Sequence, residues 1–146
     1  MSDIRKLIFL SILSILFGGF IYVAFRSDSI VLFSWIDYIG FAEPIDNLRL
    51  KTLPYKDGVP DWVLYSLPDG LWLFSFSSAV MVIWEMEITR YSLILLLSIL
   101  ILVISLEALQ YYNIINGTFD IIDVIFFIFG AVLPMWVFKK TKKLKK

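Results

Sequence analysis

Four stretches of 18 or 19 mostly apolar residues, at 7–25, 67–84, 91–109 and 121–138, leave this chain few ways to fold. A helix of that length crosses the roughly 30 Å hydrocarbon core of a bilayer. Within lipid, a helix satisfies its backbone hydrogen bonds segment by segment. The expected fold class is therefore all-α integral membrane, a four-transmembrane-helix bundle. With 60% hydrophobic residues, the chain is well beyond the apolar share of an ordinary soluble domain. The spans and their connections use all 146 residues, so a single membrane domain over 1–146 is expected.

The first span follows Arg5 and Lys6 and lacks an Ala-x-Ala-like site before Arg26, so it reads as a retained helix rather than a signal peptide. The second opens with Pro68 and Asp69, which suit a first helical turn. It starts near Pro68, or it begins at Trp62 and kinks at Pro68, which would put Asp69 deeper in the membrane. The third is the surest: twelve Leu, Ile or Val residues lie between Leu93 and Leu106. They contribute roughly −4 to −7 kcal/mol on the insertion scale. The fourth contains Gly130 and Pro134 and runs into a basic tail, 139–146, read as a membrane anchor.

Between the first two spans lies a polar loop, 26–66, punctuated by Pro44, Pro54, Gly58 and Pro60. Within it, 29–40 predicts a short helix, capped by Asp28 or Ser29 and ended by Gly40. It is too short to span and is expected to lie in the headgroup layer or dip into it. An even number of spans puts both termini on one side. That side holds Arg5, Lys6, Arg90 and the six C-terminal lysines, against Arg26, Arg49, Lys51 and Lys56 on the other. The positive side is normally cytoplasmic. Both termini are therefore expected in the cytoplasm of a cell membrane, with the 26–66 loop outside.

The chain has no cysteine and no histidine. Disulfides, thiolate metal sites, imidazole acid–base chemistry and Ser-His-Asp triads are thereby excluded. What remains is concentrated at span ends: Asp69 opens the second span, Glu107 and Gln110 close the third, and Asp120 and Asp123 open the fourth. The predicted topology gathers all five near the outer membrane surface. Each i, i+3 pair shares a helix face, and the short 111–119 linker makes the last two helices antiparallel neighbours. Carboxylates at membrane depth are costly and invite a functional reading. Converging acids would bind a cation or tune one another's protonation. Against this, Asp120 and Asp123 fit a carboxylate capping box and Asp69 complements a helix dipole. Glu107 opposes the dipole of its own helix, so capping does not account for it. Asn116-Gly117-Thr118 matches a glycosylation pattern but reads as a turn. The five tryptophans sit mostly near span ends, as interfacial belts do.

Glu107-Ala108-Leu109-Gln110, Phe119-Asp120-Ile121-Ile122-Asp123-Val124 and Gly130, with Asp69 at the head of the second span, resemble the VanZ-like family of small bacterial membrane proteins. Gly117, Phe127, Gly70 and Leu73 stand where that family usually has Arg, Asn, Lys and His. The resemblance implies a cell-envelope role, including glycopeptide resistance in some members, with no settled reaction. The leading expectation is an outer-leaflet site of Glu107, Gln110, Asp120, Asp123 and Asp69 that binds a cation or a polar envelope ligand such as a lipid-linked headgroup. No cofactor is expected beyond a divalent cation. An enzyme version would use one carboxylate as base and another as acid or metal ligand. The alternative is a noncatalytic subunit assembling with other membrane proteins or with its own copies, Gly18-Gly19 offering a flat packing surface. A channel or transporter ranks third, because no internal repeat is evident. Apart from the bilayer, partners are confined to such ligands and proteins, with no nucleic acid.

Overall fold

In a membrane the least apolar span belongs inside, because lipid covers apolar faces as well as a neighbouring helix does. A computed structural model, describing residues 3–27 and 31–138, follows that rule. Its four long apolar helices are α1 (Asp3–Phe25), α5 (Ser66–Ile83), α6 (Arg90–Tyr111) and α7 (Ile121–Phe138). α5 has the lowest hydropathy of the four, and half of its most apolar window is buried. α6 has the highest, and only 17% of its window is buried. Central α5 packs closely on α1 and α7, while α6 rests more lightly on α7 and α5.

Small residues set the approach of these helices. A Cβ on Gly130 of α7 would run into the Gly70 carbonyl oxygen of α5, so the two backbones meet without an intervening side chain. A Cβ on Gly18 of α1 would lie 2.9 Å from Trp72 Nε1. Deeper along the same pair of helices, the Ser11 and Ser75 hydroxyls lie 2.8 Å apart, and Ser75 Oγ also donates to the Ser11 carbonyl at 2.9 Å. Lipid offers a hydroxyl no partner, so such pairs hold helices together. At the end where α1 begins, Leu7, Met81 and Met86 form a buried apolar cluster with Ile4, Ile88, Met135 and Phe138 packed against it.

The spans match the sequence expectation closely, and the question left at Pro68 resolves. Trp62 belongs to a separate turn, α4 (Asp61–Leu64), and α5 begins afresh at Ser66 with Pro68 and Asp69 in its opening turns. The 26–66 stretch departs from a simple loop. After α2 (Val31–Tyr38) come α3 (Ala42–Thr52), a 3-10 turn (Leu53–Gly58) and α4. Pro44 and Pro54 sit in opening turns and Pro60 caps α4, so prolines that look like loop punctuation start helices here. The predicted 29–40 helix is present as α2, and Gly40, at φ +77°, ends it. Gly40 N–H donates to Asp37 O and Phe41 N–H to Ile36 O. The capping candidates Asp28 and Ser29 lie outside the described residues, as does the basic tail.

This helical cap is fastened to the end of α1 by one buried cation. Arg49 of α3 donates through Nη1 to the carbonyls of Val23 (2.9 Å) and Arg26 (2.8 Å), and its guanidinium lies 4.5 Å from the centre of the Phe33 ring. Thr52 Oγ1 donates to Ala24 O. The last carbonyls of α1, which have no partner in their own helix, are satisfied by α3, with the positive charge at the negative end of the dipole.

Candidate functional site

The starts of α5 and α7, the end of α6 and the end of α1 meet at one end of the bundle, opposite the Leu7–Met81 cluster. They enclose a cavity of about 360 Å³ lined by Asp69, Glu107, Gln110, Asp120 and Asp123, together with Arg26, Tyr65, Gly117 and Thr118. All five residues singled out in the sequence therefore face one space.

Their roles within it differ. Asp120 caps α7: its Oδ1 accepts the backbone N–H of Ile122 at 2.8 Å. A capping box would have Asp123 reach back to the Asp120 backbone N–H. Instead that N–H donates to Glu107 Oε2, at 3.3 Å. Glu107 is 6% exposed. Its charge opposes the dipole of α6 but lies against the positive start of α7, which accounts for an acid that is unfavourable within its own helix. Asp123 is left over by this exchange, and its Oδ1 is buried with no hydrogen-bond partner. Asp69 lies within electrostatic reach of Arg26, Asp123 and Glu107.

By sequence Arg26 is only a topological charge. In the fold it lies in the cavity wall, its guanidinium 5.2 Å from the ring centre of Tyr22 and 4.8 Å from that of Tyr65. Its Nε is buried without a hydrogen-bond partner. Arg49 holds the Arg26 carbonyl, so the helical cap positions the cation that faces the acids. The available signal was positional: Arg26 closes the first span at the membrane side where the five acid and amide residues gather. Tyr65 and Thr118 gave none, being set by the break before α5 and by the 112–120 turn.

Gly70, Leu73, Gly117 and Phe127 are accounted for by packing. Gly70 faces Phe126 and Gly130 at the α5–α7 crossing. Leu73 and Phe127 belong to a second apolar cluster with Ala131. Gly117, at φ +140°, lies against the Gln110 side chain, where a Cβ would come within 2.7 Å of the amide. Asn116 and Gly117 lie in the exposed bend between α6 and α7. Of the glycine pair in α1, Gly18 is buried against α5, whereas a Cβ on Gly19 would meet nothing within 4 Å.

Beneath the polar cavity runs an apolar cleft of about 410 Å³ between α5 and α6, lined in part by Leu73, Phe76, Ile99 and Val103 and floored by Phe127. The two spaces share Asp69, Glu107 and Gln110. Among the described residues, no three acids come together as a metal ion would require. Acids still outnumber the one guanidinium four to one in the cavity, so its chemistry favours a positively charged guest. No protein-family model, curated protein or solved structure matches the chain.

Proposed function

We propose that this chain is a VanZ-like protein of the cell envelope, with both termini in the cytoplasm, whose polar cavity opens toward the outer surface. There it binds a polar envelope ligand that carries a positive group. α2, with Val31, Trp35 and Tyr38 exposed, lies in the headgroup layer beside the opening on this reading. The observation that carries the proposal is the unpartnered buried oxygen of Asp123, facing a cavity with an excess of acids. A buried carboxylate oxygen with no donor costs about 1–3 kcal/mol or more, which a ligand donor would recover. The guanidinium of Arg26 among the acids of the cavity suits an organic guest carrying both charges better than a bare divalent ion.

The test is calorimetric titration of the purified protein with phosphoethanolamine and, separately, with calcium. Saturable binding of phosphoethanolamine, lost in Asp123→Asn and retained in Glu107→Gln, is expected, because glutamine still offers an oxygen to the Asp120 N–H. Calcium is expected to show no saturable binding. Phosphoethanolamine binding that is unchanged in both Asp69→Asn and Asp123→Asn overturns the reading.

A further inference from the structure

The polar cavity is not closed below: it continues into the apolar cleft through Asp69, Glu107 and Gln110. A water-soluble guest would fill the upper space and leave the lower one to lipid tails. The cleft follows α5 from Asp69 to Phe76 and α6 from Gln110 to Ile99, roughly 10–16 Å of helix at 1.5 Å per residue. It lies between the two spans that touch only lightly, so a chain can enter sideways from the bilayer.

The upper space is also sorted by charge. Arg26 supplies a guanidinium whose Nε has no partner, while its Nη2 donates to Tyr65 O at 3.5 Å, a cation suited to a phosphate. Asp120 and Glu107 are engaged in capping α7. Asp69 and Asp123 remain, and the bare Oδ1 of Asp123 needs a hydrogen-bond donor, which a primary ammonium offers three times over and a trimethylammonium not at all.

We propose that the ligand is an aminophospholipid, its phosphate at Arg26, its ammonium between Asp69 and Asp123, and one acyl chain lying in the cleft between α5 and α6. This rests on the binding site proposed above and adds the lipid, its primary amine and its route of entry.

Native mass spectrometry of the full chain in detergent, titrated with phosphatidylethanolamine, phosphatidylcholine and phosphatidylglycerol of matched acyl chains, tests it. Phosphatidylethanolamine is expected to bind about tenfold tighter than either of the others, the worth of one charge-assisted hydrogen bond. The Asp69→Asn, Asp123→Asn double variant should lose that preference. Val103→Trp and Ile99→Trp, which fill the cleft at two separate places, should each weaken the lipid at least tenfold while leaving soluble phosphoethanolamine bound. Equal affinity for the three lipids overturns the amine assignment. Unchanged lipid binding in both tryptophan variants, with phosphoethanolamine still bound through Asp123, overturns the acyl cleft but leaves the polar site standing. Failure of both lipid and phosphoethanolamine to bind overturns both proposals.

Discussion

Where α1 begins and α5 stops, Leu7, Met81 and Met86 close the bundle as an apolar cluster, and Leu7 and Met81 are fully buried. At the other end the same helices hold four acids, a guanidinium and a hollow of about 360 Å³. Helices this apolar can pack tightly at either end, so the hollow does not follow from a shortage of packing residues. The first end is built for stability. The second keeps a buried, unpartnered carboxylate oxygen, a pattern common where stability gives way to a binding task.

Substitutions at the two ends should therefore behave differently, and the largest effect should appear where both ends depend on one contact. Gly130→Leu drives a side chain into the Gly70 backbone and should cost about 3 kcal/mol or more, seen as loss of a monodisperse, folded species in detergent. Gly19→Leu, with open space around it, should leave the elution profile and melting temperature near those of the parent. Leu7→Ala at the dry end should cost about 2 kcal/mol. The transfer term largely vanishes when the unfolded reference lies in lipid, and the cavity term remains.

At the polar end, neighbouring acids should separate in sign. Asp120→Ala removes the α7 cap and should cost about 1 kcal/mol in thermal unfolding. Asp123→Asn removes the charge of a partly buried carboxylate whose Oδ1 has no partner and should change stability by less than about 0.5 kcal/mol, or raise it, while abolishing phosphoethanolamine binding. A cost for Asp123→Asn as large as that for Asp120→Ala would mean that Asp123 is a structural group like its neighbour.

The sequence makes the spans legible because lipid imposes a simple rule, enough apolar residues in a row to cross. It also makes the gathering of Asp69, Glu107, Gln110, Asp120 and Asp123 legible, since alternating spans and a short 111–119 linker leave their ends together. The partition of tasks among those residues is not legible. Glu107 caps α7 from another helix, and a cap supplied through space leaves no mark in local spacing. Arg26 is missed for a related reason: its position beside the acids depends on Arg49 and α3, in a stretch whose prolines resemble loop signals. The roles of Gly70, Leu73, Gly117 and Phe127 make sense only with the α5–α7 crossing and the 112–120 turn in view.

Scarce acids meet at one end of the bundle, and a chain without native cysteine allows this to be measured directly. Single cysteines introduced as Asp69→Cys, Glu107→Cys and Asp123→Cys should all react with a membrane-impermeant maleimide added outside intact cells. Labelling of the three positions from opposite sides of the membrane would contradict the account.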